Sequence, residues 1–178
     1  MKVRRMNPPA NPAGEYAHEP NLTAARRAEL IALIEQAPQQ LAQAVAGLDN
    51  AQLNAKYRNW SMRQIVQHIA DSHAHSYIRC KWTLTEEQPL IKAYDENTWS
   101  ELPDARAGDV TAPLAMLAGV HRCWVQLLRA MTPADFARSF NHPETGKAVV
   151  LNDALSYYAW HGRHHTAQIT WLREQHGW

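Results

Sequence analysis

The sequence predicts an all-α protein: a four-helix bundle with one long crossover connection and a small β-hairpin before the last helix. Three observations carry this. Four segments of roughly twenty residues repeat apolar side chains at spacings of three and four. Capping residues, Gly and Pro bound those segments. One connection, residues 86–108, is too long for a tight helical hairpin and reads as a crossover along the bundle.

The first helix is expected from Thr23, a suitable N-cap, to Ala46, with Gly47 as terminator. Leu30, Ile34, Leu41 and Val45 form its apolar face, and Pro38 is expected to kink or split it. Residues 48–59 form a connection. Ser61 with Gln64 three positions on is a capping box, so the second helix starts there and runs to about Thr85, with Pro89 beyond it. The crossover follows, with a short helical piece expected around Asp95–Trp99. The third helix spans about Ala112 to Ala130, its stripe formed by Leu114, Leu117, His121, Trp124 and Leu128. Thr132-Pro133 opens one further turn. Residues 139–151 read as two short extended pieces about a turn at Pro143 to Gly146. The last helix is expected from Asp153 to Gln175, capped by Asn152 and ended by Gly177.

The 178 residues fit one domain, 1–178, in which the proline-bearing residues 1–20 form an extended arm that lies on the surface or crosses to a second subunit. A formal net charge of +1 gives no reason to expect nucleic acid or an anionic membrane as partner. No apolar run approaches the ~18 residues of a membrane span, and the basic start, Met1 to Met6, runs into Asn7-Pro8-Pro9 without the apolar stretch of a secretory signal. A cytoplasmic protein is expected. Cys80 and Cys123 make neither a disulfide framework nor a thiolate metal site and read as reduced thiols. Ten histidines and seven tryptophans are high counts for this length. Trp60, Trp82, Trp99, Trp124, Trp160 and Trp171 are assigned to packing.

The histidines carry the chemistry. In Trp160-His161-Gly162-Arg163-His164-His165, His161 and His165 are four apart and project from one face of the last helix. Leu155, Ala159, Ile169 and Leu172 place the apolar side near the same sector, so the pair points inward, where an unpartnered imidazole is costly. The second helix offers a third ligand. His68 lies between Ile65 and Ile69 on the core side, and His75 lies two turns further along the same stripe, about 10 Å away. One ion cannot take both; His68 is favoured for its deeper apolar setting, with His75 as competitor, and His73 is read as turned off this face. His68, His161 and His165 would leave a fourth position open, as in catalytic zinc sites. No Glu-x-x-His pair on the helices suggests a di-iron bundle, and no Gly-rich phosphate loop is present.

Residues 60–73, Trp-Ser-Met-Arg-Gln-Ile-Val-Gln-His-Ile-Ala-Asp-Ser-His, and 158–169, Tyr-Ala-Trp-His-Gly-Arg-His-His-Thr-Ala-Gln-Ile, resemble the DinB-like superfamily. Within it they resemble the YfiT branch, described as metal-dependent hydrolases and including bacillithiol S-transferases. Further similar stretches are Ser76 to Arg79, Leu84 to Glu87, Tyr94 to Glu96 and His142 to Lys147, so the resemblance spans most of residues 48–170. It implies a four-helix bundle with a long crossover, a homodimer, and one zinc or nickel-like ion per chain on His68, His161 and His165.

Around these ligands, Asp71 is a candidate to orient an imidazole or act as a base, against the plain reading of a surface aspartate. His164 is a candidate general acid or base, against a polar rim residue. Arg79 is a candidate for an anionic substrate group, against a surface pair with Glu86 or Glu87. Tyr158 is a candidate pocket wall, against core packing. Three neutral imidazoles leave a divalent ion its full charge, which activates a bound water or thiol. The sequence thus points to a metal-dependent enzyme acting on a small-molecule substrate, as a hydrolase or as an S-transferase for a low-molecular-weight thiol. Zinc is the expected metal, with nickel, manganese and iron as alternatives. A structural metal tying two helices together, or a dimeric module with incidental histidines, are the competing non-catalytic readings.

Overall fold

The computed structural model describes residues 7–178. The first six residues of the expected arm, with the basic start, lie outside the described residues. Four long helices form the bundle: α1 (Ala24–Val45), α3 (Met62–Thr85), α6 (Thr111–Ala130) and α8 (Leu151–His176). Short helices α2 (Asn50–Leu53), α4 (Glu96–Ser100), α5 (Pro103–Ala107) and α7 (Pro133–Phe136) lie in the connections. Strands β1 (Lys56–Tyr57) and β2 (Trp60–Ser61) pair antiparallel just before α3. Strands β3 (Ser139–His142) and β4 (Lys147–Val150) form the expected hairpin, with Ser139 opposite Val150 and His142 opposite Lys147.

Helix α1 packs against α6 and α8, and α3 packs against the same two. The consecutive helices α1 and α3 therefore sit across the bundle from one another. The crossover carries the chain back along α3 to the start of that helix before α6 begins. Two buried side chains in the first turn of α3 fasten it. Arg63 donates to the Gly108 carbonyl and, over 3.0 Å, to Asn50 Oδ1. Gln64 donates 2.9 Å to the Ser100 carbonyl. The connection is more ordered than its composition suggests, since α5 as well as the expected short helix forms within it.

One apolar cluster joins Leu41, Met62, Ile65, Ile69, Leu117 and Ile169 at one end of the bundle. A second joins Leu30, Ile34, Trp124, Leu128, Leu155 and Tyr158 at the other. The stripes read from the sequence supply both. No helix among the described residues is long and apolar enough to cross a membrane.

Three expectations need correction. Pro38 does not split the first helix, which runs unbroken for 22 residues around it. Asn152 does not cap the last helix: α8 begins at Leu151, straight out of β4, with no side-chain cap. Here the hairpin sets the helix start and a local cap is unnecessary. The tryptophans are not all packing residues. Trp124 is buried, whereas Trp82 and Trp99 are 40% and 38% exposed.

Residues 8–20 have no regular structure and lie along α8 of the same chain. Trp160 Nε1 donates 3.0 Å to the Gly14 carbonyl, His18 meets Asp153 at 3.0 Å, and Tyr57 donates its hydroxyl to the Pro9 carbonyl.

The capping box that starts α3 is formed, with Ser61 Oγ accepting from the Gln64 amide at 3.2 Å and Gln64 Oε1 accepting from the Ser61 amide at 2.8 Å. Ser61→Ala removes one half of it, and urea denaturation should show a loss of about 1 kcal/mol. An unchanged midpoint would mean that β1 and β2, not the cap, fix this helix start.

Candidate metal centre

Helix α8 is hydrophilic in the middle, yet its buried face includes His161, His164 and Gln168. These polar residues are inside because α8 packs between α1 and α3, leaving that sector no solvent to face. His161 and His165 stand one turn apart, and α3 brings His68 against them. One nitrogen from each of the three rings lies within 4.8 Å of the other two. His68 Nε2 and His161 Nε2 are 3.3 Å apart. The structure thus brings His68, the favoured third ligand, to the pair that the spacing singled out. His75 is not among them: it stacks on Tyr94, with ring centroids 4.3 Å apart, and bonds the Asp71 carbonyl through Nδ1.

Burial holds these rings neutral. Desolvation pushes His68 down to about 3 and His165 down to about 4, and it drives His161 well below the ordinary imidazole range. A neutral imidazole has one N–H and one lone pair. His165 Nδ1 lies 2.8 Å from Gln168 Oε1, an acceptor, so it carries the hydrogen and Nε2 carries the lone pair. His161 Nδ1 lies 3.1 Å from His73 Nε2. His73 is wholly buried and also meets His121 Nε2, at 2.8 Å from its own Nδ1. The residue read as turned off the site is thus its inner neighbour. His73 stands about 140° round α3 from His68, and that direction leads to the bundle axis, not to solvent. Gly162 lies beside it: a Cβ there would stand at ordinary contact distance, 3.4 Å, from both His73 Cε1 and Ala37 Cβ.

The trio opens into a cavity of about 770 Å³ whose walls include Trp60, Arg79, Tyr94, His142, Lys147 and Tyr158. Trp60 lies against the trio itself, 4.6 Å from the His68 ring and 6.2 Å from that of His165, a role its assignment to packing overlooked. Arg79 is 8% exposed, has no carboxylate partner, donates 3.1 Å to the Lys92 carbonyl and leaves Nε unpaired. The surface pair with Glu86 or Glu87 is absent; it is Arg138 that approaches Glu87, at 4.0 Å. His164 stacks on Trp160, meets Gln168 Nε2 at 3.0 Å and has its Nδ1 buried without a partner. Tyr158 packs edge-on against His73, with centroids 5.2 Å apart.

Of the roles open to Asp71, orienting an imidazole is not the one it takes. Its carboxyl accepts 3.0 Å from Gln67, its own helix neighbour, and bonds none of the three imidazoles. Burial raises it to about 6. The outer nitrogens of His161 and His165 are held by His73 and Gln168 instead. Gln168 lies three residues after His165 and was open to discovery as the next turn of the same face. His73 was not, because its role depends on where α6 and α8 lie.

The donor set fits a divalent cation. Three neutral nitrogen donors converge, no carboxylate competes, and two rings are oriented through their second nitrogens as metal-bound histidines usually are. His68 is only partly buried, so the convergence point faces the cavity.

Comparison with known proteins agrees with this geometry. The DinB superfamily pattern matches residues 33–169. The "Putative metal-dependent hydrolase YfiT" of Bacillus subtilis (strain 168) is 43% identical over 169 residues, which cover 94% of this chain and 95% of that protein. A Bacillus mycoides (strain KBAB4) protein, also named as a putative metal-dependent hydrolase, is 46% identical over 94% of this chain and 96% of its own. The solved structure of YfiT from Bacillus subtilis, described as "a probable metal-dependent hydrolase with an unusual four-helix bundle topology", superposes with a TM-score of 0.91 over 94% of this chain and 97% of that one. With the fold, the crossover and most of its length in common with these relatives, the chain belongs to the DinB superfamily.

Proposed function

We propose that this protein is a metal-dependent hydrolase of small molecules, with one divalent ion, zinc, held by His68, His161 and His165. The observation that carries the reading is the convergence of three neutral imidazoles at the wall of an open cavity. The relatives' names point the same way. An ion bound there supplies a Lewis acid that lowers the pKa of a ligated water or thiol.

The chain's own residues do the rest. Gln168 and His73 hold His165 and His161 in place, so little reorganisation accompanies binding. Arg79 receives an anionic group of the substrate: a buried guanidinium with an unpaired Nε gains strongly from a carboxylate or phosphate. It lies three turns from His68 along α3, about 16 Å by helical rise, so the substrate is extended. Tyr158 and Trp60 give it apolar walls. His164 Nε2 accepts a hydrogen bond from Gln168 Nε2, so the ring carries its one hydrogen on Nδ1, which serves as donor to a leaving group.

The cavity also has room for a low-molecular-weight thiol. Thiol S-transfer, with the same ligands and a thiol in place of water, is the second reading. A purely structural ion suits the site less well, because structural sites are closed.

Elemental analysis of untagged protein should find about one ion per chain, and none after His161→Ala with His165→Ala. Equal trace metal in both would end the metal reading. With 4-nitrophenyl esters as probes, Arg79→Met should raise KM for the monoester of a long-chain dicarboxylic acid, whose free carboxylate reaches Arg79, about tenfold, the worth of one charged hydrogen bond, and leave a neutral acetate ester unchanged. An equal loss on both would make Arg79 structural. Ester turnover against thiol-dependent consumption of an electrophile separates the two reactions.

The depressed imidazoles also set a pH dependence for the metal-free protein. A histidine whose folded pKa lies below its unfolded value of about 6.5 contributes stability that is complete above that value. The contribution is lost as pH falls toward the folded pKa, because the unfolded chain takes up the proton first. His68 at about 3, with His121 and His165 at about 4, act together here. Each costs about 1.4 kcal/mol per pH unit in this window, so the urea midpoint should fall steeply between pH 6.5 and 4. A flat midpoint across that window would show that these rings are solvated.

A further inference from the structure

Pro38 has no N–H, so the Ile34 carbonyl four residues earlier lacks its helical donor. Ile34 is 0% exposed, so bulk water does not reach that carbonyl. His121 Nδ1, from α6, lies 2.5 Å from that oxygen. A carbonyl only accepts, so His121 Nδ1 carries a hydrogen. His121 is buried and neutral, so its Nε2 is a lone pair, and His73 Nδ1 at 2.8 Å must be the donor to it. His73 is wholly buried and neutral too, so its Nε2 accepts, and His161 Nδ1 at 3.1 Å must donate. The only remaining lone pair is on His161 Nε2, the atom that faces His68. The chain of bonds touches all four long helices, and its direction is fixed at the end far from the site.

We propose that His73 and His121 are positioning residues: anchored on the carbonyl that Pro38 leaves free, they lock His161 as the Nδ1–H tautomer and hold its Nε2 ready for a metal ion that neither of them touches. The metal part of this inference rests on the function proposed above, whereas the tautomer part stands without it. Reversing the chain would set a lone pair of His121 against the Ile34 oxygen with no hydrogen between them, which the 2.5 Å separation forbids.

The two parts are separated by two readouts. Long-range ¹H–¹⁵N spectra of the metal-free parent should show His161 as one Nδ1–H tautomer. In His121→Phe, which has no ring nitrogen, His161 should become a mixture of tautomers, and zinc affinity, measured by competition with a chelator, should fall about tenfold to a hundredfold. His121→Gln keeps a donor and an acceptor and should retain most of both properties. A merely structural role would lower stability in His121→Phe but leave the tautomer alone. The proposal is overturned if parent His161 carries its hydrogen on Nε2, or if folded His121→Phe keeps a single Nδ1–H tautomer. Should His121→Phe not fold, the parent spectrum and the retention of tautomer in His121→Gln decide the matter. If the parent binds no zinc, the hydrolase reading fails while the spectra still test the relay.

Discussion

Burial of imidazoles without charge is the constraint to which the rest of this structure answers. An imidazole removed from water sheds its proton, and the neutral ring then needs an acceptor for one nitrogen and a donor, or a cation, for the other. His73, His121, His161 and His165 are all in this position, on three different helices. Their needs are mutually compatible in one arrangement only, with Ile34 and Gln168 supplying oxygen at the ends. The lone pairs left over meet beside His68. What remains when the other nitrogens of these four rings have been satisfied is a set of lone pairs suited to a cation, and the apolar clusters above and below keep the network dry.

The helices serve this arrangement in unequal ways. Helix α8 supplies two rings of the trio and their supporting glutamine, which requires a polar face turned inward. Gly162 on that face lies against Ala37 of α1 and His73. Helix α3 supplies His68 on one side and His73 on another, and it can do so because it is flanked by α6 and α8. Helix α1 contributes no side chain to the site. Its part is a missing hydrogen bond: a proline within an unbroken helix exposes one carbonyl to the bundle interior, where His121 takes it up. The cavity side is different in kind. Arg79 is buried with an unused N–H, Lys147 and His142 stand near the mouth, and the aromatic walls are set by packing instead of by hydrogen bonding.

Features that depend on neighbours a few positions apart were legible in the sequence. The amphipathic stripes, the Ser61–Gln64 capping box, Thr23 as N-cap, Gly177 as the left-handed terminator and the hairpin about residues 143–146 are all settled within one or two turns of chain. The pair His161 and His165 belongs with them, because four-residue spacing fixes their common face whatever the helix packs against. Joining His68 to the pair needed only the added premise that apolar flanks mark the inward side. Where local reasoning was applied to something set at a distance it went astray. Asn152 has the chemistry of a cap, but the β-hairpin delivers the chain to α8 two residues earlier. Asp71 sits a turn from His68, but its carboxyl meets only Gln67.

By itself the sequence determined the four helices, their buried faces, the length of the crossover and the common face of His161 and His165, since periodicity and capping act through short stretches of chain. Only the tertiary structure decided which side of α3 is inside twice over, and so that His73 underlies the site, that Trp60 flanks it, and that Arg79 is buried without a partner. The reason is geometric. The partner of the Ile34 carbonyl is 87 positions away, and the rings that meet His73 lie 48 and 88 positions from it. Their encounter is set by the relative rotation of packed helices, a quantity to which no local pattern of residues corresponds.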